Sequence, residues 1–152
     1  MTTDTRNINL KKLRQTFEKI PHCRELGLRV ILIERGKASI FLEYEPRLAG
    51  NSETGVVHGG VISTLLDSVS GLCALSIVSK TTPVATLDLR IDYLKPATPY
   101  KKIIGEASCF RLTKSIAFVR SVAHIDEHEP IAHCVATFML GSAGFTSEKA
   151  KK

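Results

Sequence analysis

The stretch Gly55-Val56-Val57-His58-Gly59-Gly60, running on into Val61-Ile62-Ser63-Thr64-Leu65-Leu66-Asp67-Ser68-Val69-Ser70-Gly71-Leu72-Cys73-Ala74, decides how this chain is read. Over 60–78 the apolar residues Val61, Ile62, Leu65, Leu66, Val69, Leu72, Cys73 and Ile77 recur at the three- and four-residue spacings of a helix. The positions between them are small or weakly polar, and Lys, Arg and Glu are absent before Lys80. No face is built for water, so the pattern predicts a central helix enclosed by other structure. The His-Gly-Gly turn offers free backbone N–H groups and the helix offers one carboxylate, Asp67, which the reading brings near the same place.

Asp67 is the only charged side chain of the helix. An ionised carboxylate without a partner is costly in a dry interior. It therefore caps or pairs with a neighbour, meets an arginine at a subunit contact, or does chemistry, since structural ion pairs and active sites both hold such groups. His58 and the two glycines beside the helix start weigh toward chemistry.

Outward from the helix, Leu10, Leu13, Phe17 and Ile20 form one apolar stripe, which predicts an amphipathic helix over 9–19 ending before Pro21. Over 28–45 the period changes to two, with Ala38, Ile40, Leu42 and Tyr44 on one face and Arg35-Gly36-Lys37 as the turn of a hairpin. After the central helix, Ala85, Leu87, Leu89, Ile91 and Tyr93 alternate with Thr86, Asp88, Arg90 and Asp92. Three more extended segments follow over 102–112, 115–125 and 131–140, separated by a tight turn at Thr113-Lys114 and by Asp126-Glu127-His128-Glu129-Pro130. The organisation expected is a helical segment over 1–24, one α+β domain over 25–141 and a small, polar, disordered tail over 142–152. Within that domain, long strands share one helix to cover.

Composition removes several classes of function. The 152 residues suit a single domain, and 43% hydrophobic with 24% charged residues is ordinary for a soluble globular protein. No apolar run is long enough for a bilayer and the first residues are polar, so neither a membrane span nor a signal peptide is expected and the reading is cytoplasmic. Cys23, Cys73, Cys109 and Cys134 form no CxxC pair, which argues for reduced, packed thiols over disulfides or zinc, with no support for a nucleophilic cysteine. His124, His128 and His133 flank a turn and are read as a solvated hairpin rather than a metal site. The net charge of +6 suggests an anionic partner. With 6% aromatic residues, no tryptophan and basic residues spread from Arg90 to Lys114, that partner is a small phosphorylated ligand and not a nucleic acid.

The segment around Gly55, His58, Gly59, Gly60 and Asp67 resembles the hot-dog thioesterases of the phenylacetate-pathway, or PaaI-like, type, whose motif is Gly-x-x-His-Gly-Gly with an acidic residue nine positions after the His. The run Thr86-Leu87-Asp88-Leu89-Arg90-Ile91-Asp92-Tyr93-Leu94-Lys95-Pro96 is similar to that family's strand after the helix. The likeness covers roughly 25–140 and implies the hot-dog fold, a long central helix wrapped by a curved antiparallel sheet. It also implies hydrolysis of an aryl- or fatty acyl-CoA thioester to free acid and CoA without a cofactor, in a homodimer or homotetramer with shared sites.

By the same resemblance, Gly59 donates its N–H to the thioester carbonyl, such donors being worth about 3 kcal/mol in the transition state. Asp67, from the partner subunit, acts as general base or as nucleophile through an anhydride. His58 orients the thioester end or the leaving thiol, and Thr86 places water or the carboxylate. Gly60 and the turn residues Lys114 and Ser115 complete the substrate contacts, Lys114 matching a cation that meets the CoA phosphates. Members often carry Asn or Gln six positions before the His; here that position is Ser52, with Asn51 one step earlier. A loop longer by one residue delivers the Asn51 amide, against the reading of Asn51 as an ordinary turn residue. Two other classes stay in view: a non-catalytic acyl-CoA sensor, which usually brings a DNA-binding region, and a hot-dog hydratase, for which no second Asp/His pair is found.

Overall fold

Two periods of apolar spacing build the molecule. The 3.6-residue period makes helix α3 (Gly59–Leu75), 17 residues long. Period-two alternation makes six strands: β1 (Arg29–Glu34), β2 (Lys37–Leu42), β3 (Val84–Tyr93), β4 (Ile103–Leu112), β5 (Ile116–His124) and β6 (Pro130–Leu140). This computed structural model describes residues 10–78, 82–126 and 129–141, so the polar tail over 142–152 and His128 lie outside the described residues.

The strands form one sheet in the order β1-β2-β4-β5-β6-β3, each neighbouring pair antiparallel. Register shifts interrupt four of those ladders, between Val30 and Leu32, Thr86 and Asp88, Cys109 and Arg111, and Ala123 and His124. An extra residue on one strand bends and twists it locally. The sheet accordingly curls, and α3 touches all six strands. Leu65, Leu66, Val69 and Cys73 of α3 pack with Ile40, Leu42, Ile103, Val119 and Phe138, all fully buried or nearly so. Truncating one such leucine to alanine costs roughly 2–5 kcal/mol. Buried Ser70 does not break this packing, because its Oγ donates to Ser121 Oγ on β5 at 2.8 Å.

Two short helices precede the sheet, α1 (Leu10–Phe17) and α2 (Pro21–Glu25). The first matches the amphipathic stripe. Pro21 was expected only to stop a helix, yet it also opens α2, because its fixed φ suits a first turn where no N–H is needed. Phe17 and Cys23 from this segment join the same hydrophobic cluster as the sheet and α3.

Three expectations are corrected. Within one chain α3 is not enclosed: Ser63, Thr64, Asp67, Ser68, Gly71 and Leu75 stay half-exposed along one side of the helix, which opens beside the β3 edge of the sheet. The sheet covers only one side of the helix, so freedom from charge on the other side does not come from burial within this chain, and Asp67 does not sit in a dry interior. His124 is buried, not solvated, and its Nε2 lies 3.2 Å from Glu106 Oε2. That pair is at ion-pair distance without hydrogen-bond alignment. β5 runs on to His124, where its register slips against β6, whereas His133 on β6 is exposed. The four cysteines are free thiols as expected.

Candidate active site

The start of α3 is built by a tight loop. Ala49 and Val57 form an antiparallel bridge, Gly50 N–H donates to Val56 O at 2.8 Å, and His58 N–H donates to Leu48 O at 2.8 Å. Gly55 turns this loop at φ +72°, a conformation that favours glycine, and a Cβ there would also push on Tyr44 Oη, 2.9 Å away. The loop delivers His58 as the N-cap of α3.

His58 caps in an uncommon way. Its Nδ1 accepts the Gly60 N–H at 2.8 Å, the place usually taken by a Ser, Thr, Asp or Asn oxygen. A ring nitrogen that accepts carries no proton, so the geometry assigns the neutral tautomer with hydrogen on Nε2. That N–H points away from the cap on an exposed side chain. A Cβ on Gly60 would lie 2.9 Å from His58 Nδ1, so Gly60 is bare to let the imidazole lie against the helix start, and its N–H is committed to His58.

Gly59 is left with the free donor. Its N–H has no acceptor among the described residues and faces out from the first turn, where the peptide dipoles converge. A Cβ on Gly59 would meet the Tyr93 ring at 3.7 Å, an ordinary contact. The packing of the chain therefore tolerates a side chain here, and the absence of one leaves space over the N–H. Tyr93 was not singled out from the sequence. At the end of β3 its hydroxyl donates to Gly59 O at 3.0 Å and shares a 2.6 Å hydrogen bond with Ser63 Oγ. Its sequence signals were the final beat of the β3 alternation and its place in the run Thr86–Pro96 that resembles the family's strand.

Asp67 lies on the same open side of α3, and Thr86 Oγ1 on β3 donates to its Oδ1 at 2.9 Å. One carboxylate oxygen is held; the other has no partner among the described residues. The sequence reading set the Gly59 N–H and this carboxylate near the same place. They are eight residues apart in a continuous helix, which is about 12 Å of axis. Within one chain they do not converge on one atom.

The remaining expected residues fall in turns. Asn51 Oδ1 accepts the N–H groups of Glu53 at 2.8 Å and Thr54 at 3.1 Å, so the amide oxygen is tied to its own turn while the NH₂ stays a donor. Ser52 is exposed in that turn. Lys114 and Ser115 are exposed in the β4–β5 turn, which Thr113 closes by donating from its N–H to Ile116 O at 2.8 Å. Ile116 pairs with Met139 and Met139 with Ala85, so this turn belongs to the Thr86 end of the sheet.

Thiol chemistry has no seat here. Burial pushes all four cysteine thiols up, Cys73 to about 12, so none is a ready thiolate near neutral pH. Among the described residues no group of three or more His, Cys, Asp or Glu is placed to hold a metal ion.

A family model described as "Thioesterase superfamily" matches residues 54–132. The "Medium/long-chain acyl-CoA thioesterase YigI" of Escherichia coli K12 is 30% identical over 135 residues, covering 80% of this chain and 86% of that protein. A crystal structure of a Pseudomonas aeruginosa protein is 40% identical with a TM-score of 0.76, covering 86% of this chain and 97% of that one. The E. coli PaaI protein of the phenylacetic acid degradation operon shares the fold, at a TM-score of 0.76 and 16% identity over 85% of this chain and 90% of its own. Since the matched segment takes in all of α3 and β3, and with them His58, Gly59, Asp67 and Thr86, this chain belongs to the thioesterase superfamily, whose hot-dog fold it adopts.

Proposed function

We propose that this chain hydrolyses the thioester of an acyl-CoA, and that its working unit is at least a dimer in which each active site takes Gly59 and His58 from one protomer and Asp67 and Thr86 from the other. One observation carries the reading. A free helix-terminal N–H and a half-held carboxylate share the uncovered side of α3 but stand about 12 Å apart. A second α3 laid antiparallel against this side pairs the Gly59 end of one helix with the Asp67 turn of the other, twice, by symmetry. The names of relatives such as YigI support acyl-CoA as the substrate.

In this arrangement the thioester oxygen lies on the Gly59 N–H, which gains strength as the oxygen becomes an anion. Asp67 either takes a proton from the attacking water or attacks the carbonyl carbon itself, forming an anhydride that water then opens. Thr86 fixes one carboxylate oxygen and so aims the other. The carbonyl–sulfur bond breaks, the acid forms and coenzyme A leaves as thiolate. The outward Nε2–H of His58 is the donor for that sulfur or for the carbonyl. Asn51 contributes its free NH₂ at the same end. Lys114, beside Ser115, meets phosphate of the CoA moiety, a charge contact remote from the reacting carbon.

Mixing two inactive variants tests the shared site. Gly59→Val and Asp67→Asn homodimers each lack thiol release from acyl-CoA. Co-refolded, half of the dimers are mixed and each holds one intact site, so about a quarter of the wild-type rate returns. No recovery, with mixed dimers demonstrated by a tag on one variant, overturns the shared site.

A further inference from the structure

Past Asp67 the open side of α3 runs into a cleft of about 450 Å³, a size that suits a small-molecule site. Gly71 and Leu75, one and two turns beyond Asp67, form its floor. Val84 of β3 and Phe138 of β6 stand on one side and Phe17 and Ile20 of the N-terminal helical segment on the other. The character of α3 changes along this line. Toward Gly59 the lining is hydroxylic, with Ser63 and Thr64; toward Leu75 it is apolar, and Asp67 is the only carboxylate in the wall among the described residues. A Cβ built on Gly71 would lie 3.6 Å from Phe138 Cε1, an ordinary contact. Packing does not demand glycine at 71, and its bareness keeps the cleft open next to the carboxylate.

We propose that this cleft takes the acyl chain of the substrate as an extended, fatty chain, that Gly71 sets the length admitted, and that the N-terminal helical segment is its outer wall. The inference rests on the acyl-CoA thioesterase reading. A carbonyl held beside Asp67 has two directions for its substituents along α3, and the alkyl tail takes the apolar one, where each buried methylene strengthens binding roughly fourfold. From Asp67 to Leu75 the floor runs about 12 Å, which fits a linear chain better than a single aromatic ring.

The test is a series of kcat/KM values for butanoyl-, octanoyl-, dodecanoyl- and phenylacetyl-CoA, measured by thiol release with wild type, Gly71→Ala and Gly71→Leu. A leucine at 71 fills the floor. Dodecanoyl-CoA then loses about 30-fold or more while butanoyl-CoA changes by less than about threefold. Gly71→Ala shifts the profile the same way by a smaller factor and raises Tm, because alanine is the better helix former; it carries the test if the leucine variant does not fold. An unchanged length profile, an equal loss on all chain lengths, or a wild-type preference for phenylacetyl-CoA overturns the assignment. So does dissociation of the Gly71→Leu oligomer in light scattering with uniform loss of activity, which would place a partner segment in the cleft. Wild type that cleaves none of the four thioesters refutes the thioesterase reading itself, a separate outcome.

Discussion

The sheet has two edges, and they are treated differently. β1 is six residues long and is guarded. α1 lies over it, Arg14 Nη2 donates to Ile31 O at 2.8 Å, and Glu18 Oε1 accepts the Val30 N–H at 3.3 Å. A register shift between Val30 and Leu32 further breaks the line of the strand. β3 is ten residues long, pairs with β6 on one side, and has no strand on the other among the described residues. Its side chains include exposed Leu87 and Tyr93; of its three charges Arg90 and Asp92 pair with each other in solvent, where such a pair is worth little, and Asp88 is exposed beside them. An open strand of that length is a template for another chain unless it is blocked. Side chains block β1, and among the described residues none blocks β3. The free edge is also the one that carries Thr86 and Tyr93, so it is the edge that the proposed shared site would use.

The strongest way to break this comparison is to remove the chemistry assigned to the open side. Asp67→Asn keeps the size of the side chain and should lower kcat by about 10²-fold or more with Tm and CoA affinity largely kept. If Asp67 only supports structure, melting temperature and activity fall together. Next comes a matched pair of substitutions on the two edges. Leu87 and Ile31 are each 46% exposed, yet Leu87→Lys should drive the protein toward an inactive monomer in light scattering, whereas Ile31→Lys should leave both mass and rate unchanged. Equal behaviour of the two variants would dissolve the distinction between the edges.

Smaller effects sharpen the picture. Arg14→Ala removes a charged donor from an edge carbonyl and should cost about 1 kcal/mol in urea unfolding, with kcat untouched. The weakest change expected is in Lys114→Ala. It should raise KM for CoA thioesters about threefold with kcat held, since a phosphate contact acts equally on ground and transition states. For a short thioester without the nucleotide the variant should equal wild type. A loss on both substrates would move the CoA-binding face away from the β4–β5 turn.

Along the chain, legibility follows distance. The α3 spacing from Val61 to Cys73, the Arg35-Gly36 turn and the alternation of β3 depend on near neighbours, and the sequence predicts each within a few residues of where it lies. His58, Gly59 and Asp67 were legible as a motif for the same reason. What Asn51 does was not. The peptide N–H groups of Glu53 and Thr54 compete for its amide oxygen, and only the folded loop shows that they win it. Pro21 as a helix opener and His124 as a buried ring depend on what the rest of the chain lays over them.

By itself, then, the sequence determined one helix with a single carboxylate, a glycine turn at its head and strands long enough to wrap it, because periodic burial is written in residue order. Tertiary structure decided which groups meet. Thr86 reaches Asp67 across 19 positions of chain and Tyr93 reaches Gly59 across 34. The guarding of one sheet edge but not the other exists only once distant segments are packed, whereas the ~12 Å that part the free N–H from the carboxylate follow from eight residues of helix rise. Hydrogen-bond reach is a few ångströms in space and has no counterpart in sequence spacing once the chain has turned back on itself.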